Sequence, residues 1–515
     1  MPTAIPRHAN RLLLILIALC AIVFSYLSVV RHYTFNTAAY DLAIIDQAVW
    51  NTSQGRWFEV NLLEDTMPGL TNKLGDHVEP ILLPLALLYL LRSSPDVLLI
   101  VQALALATVI WPLYQLAQHR SRSLWLAGLA VLLYLAHPAM WNALLFDFHP
   151  VTLATAFLIW ALWLLEQEKF RMALVCAVLT MMCKEQLGLS VALLGVYAIF
   201  FHRRPTKNPP HQTIETQQPT ALTSRRRVGI RFFQPFARRF GLLLIAIGIG
   251  WTIIAMTIIS PAFQPAGGLA HLERYGRLGN TLTEILLSPF TKPDVLWSML
   301  SGPGRVTYYR DLLLPLGFLP LLGFELLLPA LPDIALNTLS AFAPSRTLDY
   351  HYAVLMLPFL ILATIVGIER LARWMGRERL WLRRGVLIAT GVFVLISMAA
   401  YQLDRYHGFV PLSDRYIGSY TIKPRDSIGW QLAAQIPPEA VVSGQFNLLS
   451  HVSQRQRAHI FPRIEDAQYV FLDTQSVIEP FQTQKEYLAA VEALRADPAF
   501  EVISDQDGFI LFKRK

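Results

Sequence analysis

The chain has 515 residues, of which 54% are hydrophobic and only 16% charged, and its net charge is +8. Mean hydropathy is +0.41; an ordinary soluble domain carries about 25% charged residues and no globule hides so large an apolar fraction from water, so composition excludes a soluble fold and implies a polytopic membrane protein. The basic excess lies in clusters between apolar stretches, without aromatic interleaving or a nucleic-acid motif, which excludes a nucleic-acid partner.

In chain order, the first apolar stretch runs from Leu12 to about Val30 and follows Arg7 and Arg11. It is long for a signal-peptide core and no clear cleavage site follows, so it reads as a transmembrane helix with its N-terminus in the cytoplasm. Residues 31–95 then form a first extracytoplasmic loop with interfacial helices. Within it "PILLPLALLYLL" (80–91) is too short to span, and Trp50 and Trp57 lie upstream as interfacial anchors. Further spans are expected at 96–118, 124–140, 151–165, 171–183, 187–201, 240–260, 306–322, 324–340, 351–369 and 385–402, about eleven in all. The expected inside loops fit the positive-inside bias: the basic linker at 202–239 holds nine Lys/Arg against Glu215, and 370–384 holds six Arg against Glu378. The first of these contains a Pro/Gln/Thr-rich tract, which reads as a flexible cytoplasmic linker between two membrane halves.

An odd number of spans puts the C-terminus outside, at the plasma membrane. The transmembrane domain is read as 1–403. Residues 404–515 change character, with twelve Lys/Arg against fourteen Asp/Glu. "AVVSGQF", "QYVFLD", "FEVIS" and "GFILFK" read as short strands, and "TQKEYLAAVEALRA" as an amphipathic helix with Leu488, Val491 and Leu494 on one face. The expected architecture is therefore an all-α membrane domain followed by a small extracytoplasmic α/β domain. Cys20, Cys176 and Cys183 sit in apolar spans and form neither a disulfide framework nor a metal pattern.

The ionisable residues outside the basic loops all fall on the outside in this topology. They include Asp41 and Asp46 after the first span, then Asp76, His77 and Glu79 in "GDHVEP". Asp147 and His149 follow in "FDFHPVTLA", Lys184 and Glu185 in "CKEQLGL", and Arg346 and His351 in "SRTLDYHY". Ionisable groups at membrane depth are expensive and usually mark function. Several hairpin tips meeting on one face point to a shared polar cavity.

The stretches "YDLAIIDQAVW", "DHVEPILLPLALLYLL", "FDFHPVTLA", "KEQLGL" and "DYHYAVLMLPFL" resemble a prokaryotic membrane family labelled domain of unknown function 2079, grouped with the C-type glycosyltransferase (GT-C) superfamily. The resemblance covers about residues 11–400, with a tail like that family's outside domain. It implies a cell-envelope glycosyltransferase that takes a sugar from a polyprenyl-phosphate carrier in the membrane lipid and passes it to an unknown acceptor. An acidic residue after the first span would be general base, a basic residue would hold the lipid phosphate, and some members use a divalent cation such as Mg, Mn or Ca.

On that reading Asp41 is the first candidate base and Asp46 the second. Five residues apart, they would sit about 140° apart around a helix and would not act as one pair. The bland alternative for Asp41 is the cap of the next helix. Asp76, His77 and Glu79 are candidate metal ligands, against a helix cap and loop tip. Asp147 and His149 are candidate substrate contacts, against a helix start with Pro150 in its first turn. Lys184 is the candidate phosphate holder, with Glu185 its ion-pair alternative, and Arg346 and His351 are further phosphate candidates. Two competing readings are a non-catalytic scaffold or sensor presenting the C-terminal domain, and a lipid or solute transporter, which would place its charges at mid-membrane.

Overall fold

The computed structural model describes residues 7–202, 235–265, 268–377 and 379–515. The basic linker expected at 202–239 lies for its greater part, 203–234, outside the described residues. The first helix, α1 (Arg7–Tyr33), is followed by a single π-type turn at Ala39–Ala43 and then α2 (Ile44–Ser53). The apolar stretch after "DHVEP" forms a short helix, Leu82–Tyr89, that buries Leu82, Leu85, Ala86 and Tyr89.

Among the described residues, five helical segments are long and apolar enough to cross a membrane: His8–Tyr33, Pro95–Ser121, Phe236–Phe263, Leu319–Leu339 and Leu380–Tyr420. Leu124–Ala136 and Pro138–Leu145, bent by 46° at the intervening His137, make a sixth if counted as one. Three expected spans are shorter apolar helices: α3 (Pro150–Glu166, 17 residues), Phe170–Met181 (12 residues) and α4 (Leu187–Phe200, 14 residues). At 1.5 Å per residue the 12-residue helix covers about 18 Å of a hydrocarbon core about 30 Å thick. The polar residues at the ends of such helices are therefore recessed into the bundle.

Next comes α5 (Pro235–Ile254), which runs against α4 through facing glycines. A Cβ on Gly188 or Gly195 would run into the backbone of Gly248 or Gly241, so the two helices touch backbone to backbone. The hairpin expected near Phe324 lies instead at Leu314–Phe318, where Gly317 and Phe318 take positive φ. The chain then runs from Leu319 to Leu339 with a kink at Gly323, whose φ of −116° and ψ of 29° are not helical. Prolines at 315 and 320 bracket this turn, and each lacks the N–H that would continue the preceding helix. Two helices close the membrane part, α6 (Leu357–Met375) and α7 (Leu380–Tyr406).

The C-terminal region holds a five-stranded sheet in the order β2-β1-β3-β5-β4, from β1 (Val442–Gly444), β2 (Ala458–Ile460), β3 (Tyr469–Asp473), β4 (Phe500–Gln506) and β5 (Phe509–Arg514). β1 pairs parallel with β2 and β3, and the last two strands are antiparallel. Helix α8 (Gln484–Ala496) covers one face through Tyr487, Val491 and Leu494, while Leu488 is exposed. The buried triplet is spaced i, i+4, i+7, which stays on one helical stripe, whereas the expected i, i+3, i+6 set drifts off it.

This sheet is fastened to the first loop. Asp46 accepts hydrogen bonds from Tyr89 Oη (2.6 Å), Ser453 Oγ (2.6 Å) and Gln454 Nε2 (3.0 Å). Asp65 accepts from Arg463 Nη1 (2.7 Å), and Asn61 exchanges two hydrogen bonds with Ala458. His451 stacks on His32 at the end of α1, ring centroids 4.2 Å apart.

Candidate functional site

A cavity of about 740 Å³ opens where these elements meet, and its wall includes Asp41, Asp76, His77, Glu79, His149, Lys184 and His351. Asp41 lies in the π-type turn before α2 and caps nothing: neither that turn nor α2 has a side-chain cap. Its carboxylate is held by His149 instead, whose Nε2–H donates to Oδ1 at 3.0 Å. A carboxylate only accepts, so the proton of this bond sits on His149 Nε2. The His149 ring stacks on His351 at 3.6 Å between centroids, and Nδ1 of each is buried without a hydrogen-bond partner among the described residues.

"FDFHP" builds this arrangement through its backbone. Pro150 opens α3 and His149 is the residue before it. Gln102 holds the turn: its Nε2 donates to the Asp147 carbonyl (2.6 Å), and its Oε1 accepts from the His149 N–H (3.0 Å) and Thr152 Oγ1 (2.9 Å). Asp147 takes a left-handed conformation, φ 66°, which Asp tolerates better than most residues. Its side chain turns away from the cavity, to Arg31 Nη1 (3.0 Å) and the Ala38 N–H (2.8 Å). Asp147 is thus a clip between the end of α1 and the segment that carries Asp41, and the expected substrate contact falls to His149 alone. Burial pushes its carboxyl up to about 6, with Arg31 opposing.

Three further candidates leave the cavity wall. Asp46 is fully buried in the sheet contact described above, so the second candidate base has no face toward the cavity. Glu185 accepts from His77 Nδ1 (3.0 Å) and the Val78 N–H (3.0 Å), and so clamps the "GDHVEP" turn. Burial alone would raise its carboxyl, but His77 and then Lys184 hold it down to about 2. Arg346 turns back onto the carbonyls of Ser340 and Phe342.

With Glu185 committed to His77, Lys184 has no carboxylate within ion-pair distance among the described residues, and its ammonium is left to the cavity. A second such cation is Arg274, which also lines the cavity and lies 4.6 Å over the Phe342 ring. Lys73, by contrast, is buried between Asp76 (2.5 Å) and Glu79 (3.2 Å).

That pairing alters the expected metal set. Glu79 answers Lys73, and the group of donors that comes together is Asp76, His77 and His271, with ligand atoms within 4.8 Å of one another. His271 Nε2 already donates to Asp76 (2.8 Å), and the His77 bond to Glu185 leaves its Nε2 for a ligand. Two imidazoles and one carboxylate suit a zinc-like ion better than the oxygen-preferring Mg, Mn or Ca of the sequence reading. Such an ion would share Asp76 with the Lys73 ammonium. Burial opposes charge on Asp76, yet Lys73 and then His77 keep its carboxyl well below the usual range. Lys73 sits three residues before Asp76 in one short helix, whereas His271 and Arg274 carry no spacing signal that ties them to "GDHVEP"; only the fold brings those two there.

Residues 31–511 match the family described as "Predicted membrane protein (DUF2079)". No curated protein matches the chain. Among solved structures the chain is similar to ArnT from Cupriavidus metallidurans in the apo state, at 13% identity and a TM-score of 0.48, with 98% of each chain covered.

Proposed function

The chain belongs to the DUF2079 family of predicted membrane proteins, and we propose that it is a GT-C-type inverting glycosyltransferase that uses a polyprenyl-phosphate-linked sugar at the extracytoplasmic face. One observation carries the reading: the Asp41 carboxylate, oriented by His149, shares a cavity of about 740 Å³ with two cations that lack carboxylate partners among the described residues, Lys184 and Arg274. A transfer from a lipid phosphate needs those two kinds of group on opposite sides of one sugar.

The step balances as follows. Asp41 Oδ2 takes the proton of an acceptor hydroxyl while His149 holds Oδ1. The hydroxyl oxygen bonds to the anomeric carbon as the carbon–oxygen bond to phosphate breaks. The polyprenyl phosphate leaves with one more negative charge, which Lys184 and Arg274 face. A cation at Asp76, His77 and His271, when bound, would supply further positive charge at that end of the cavity.

The test is turnover of a panel of labelled polyprenyl-phosphate sugars by the purified protein in lipid nanodiscs, with Asp41→Asn alongside. The variant is expected to lose about 10²- to 10⁴-fold in rate while its unfolding midpoint stays that of the wild type. No turnover of any donor by the wild type, or full activity in Asp41→Asn, overturns the reading.

A further inference from the structure

A second concave site lies at the other end of the bundle. α6 starts six residues after His351 and is 19 residues long, so its last turn is about 28 Å from the cavity, close to one hydrocarbon thickness. There, a pocket of about 430 Å³ is lined by Arg370, Arg373, Trp374, Gly376, Arg377 and Arg383. Gly376 makes it: a Cβ there would meet the Arg383 backbone at 2.6 Å, so the turn passes flush against the start of α7 and sets arginines of both helices around one hollow.

The charge in this hollow is not balanced. Glu325 pairs with Arg370, and Glu369 pairs with both Arg373 (2.7 Å) and Arg383 (3.0 Å). Four guanidiniums therefore face two carboxylates, an excess of two positive charges among the described residues. Arg377 has no carboxylate partner there. Trp374 (79%), which lines the pocket, and Leu380 (74%) and Trp381 (67%), at the start of α7, are among the most exposed large apolar side chains of the described residues. Exposed tryptophans beside arginines at a helix end are the signature of the headgroup level of a bilayer.

We propose that this pocket binds the headgroup of an anionic phospholipid, its phosphodiester held by Arg373 and Arg377 and its glycerol and upper acyl carbons lying against Trp374 and Leu380. Guanidinium forks match phosphate oxygens in pairs, and a free phosphate would gain nothing from the apolar rim. The site is separate from the cavity and does not depend on its chemistry.

The experiment uses the full chain in detergent. It measures binding of phosphatidylglycerol against phosphatidylcholine by native mass spectrometry, with and without excess inorganic phosphate. Phosphatidylglycerol is expected to bind preferentially and to resist inorganic phosphate. Each arginine removed is expected to weaken it about fivefold, so Arg373→Gln/Arg377→Gln loses about 25-fold. Since Arg377 makes no ion pair among the described residues, Arg377→Gln alone keeps the fold and should lose its fivefold share. Equal binding of the two lipids, displacement by inorganic phosphate, or wild-type affinity in Arg377→Gln each overturns the proposal.

Discussion

Replacing Glu185 by Gln removes one charge and almost nothing else. The side chain keeps an oxygen for the Val78 N–H and an amide within reach of His77. In the folded protein the carboxyl is held at about 2 instead of 4.5. At about 1.4 kcal/mol per pH unit this is about 3 kcal/mol of stability at neutral pH, and the side chain is only 17% exposed, so solvent screening takes little of it. The sign follows from a depressed carboxyl: the contribution is full above pH 4.5 and is lost as pH falls through about 2. Unfolding of the purified protein, followed by tryptophan fluorescence in detergent, should show Glu185→Gln less stable by about 3 kcal/mol at pH 7. The gap should close toward pH 2, because the wild type then loses the same charge. A difference below about 0.5 kcal/mol at pH 7, or one that widens on acidification, refutes the clamp.

Other outcomes follow from the same geometry. Lys184→Gln should raise the KM for the lipid-phosphate donor about 10- to 100-fold, the worth of a charge-assisted hydrogen bond, with the unfolding midpoint falling less than in Glu185→Gln, since His77 still holds the Glu185 carboxyl down. Gly248→Val drives a side chain into the Gly188 carbonyl and should cost at least about 1–3 kcal/mol in unfolding measurements; a neutral result would mean that α4 and α5 are not in backbone contact. The Asp46 carboxyl is pushed up to about 6 by burial, so it favours the folded state at low pH and loses that contribution as pH rises from about 4 to 6. The stability of the wild type relative to Asp46→Asn should therefore rise between pH 7 and pH 5.

Composition made the membrane class plain, since no other environment accepts so many exposed leucines. The small sheet was also legible, because its β-branched and aromatic runs alternate with turn residues. The pairing of charges was not. Sequence put Lys184 next to Glu185, but side chains one residue apart on a turn point in different directions, and Glu185 goes to His77 more than a hundred residues away. In the same way "GDHVEP" displays three ligand-type residues within four positions, yet Glu79 goes to Lys73 and His271 arrives from a distant loop. Asp46 stood second to Asp41 as a candidate base because both follow the first span. Their angular separation was computable, but only the fold puts a sheet on one side and a cavity on the other.

That separation has a mechanical consequence. Asp46 is tied by two hydrogen bonds to Ser453 and Gln454 of the C-terminal region, with a third to Tyr89 of the first loop, and Asp41 lies a little over one helical turn earlier on the same helical backbone. A tug on the sheet reaches the cavity carboxylate through five residues, with no loop between to absorb it. Whatever pulls on or wedges beneath the C-terminal sheet therefore has a direct lever on the Asp41–His149 bond.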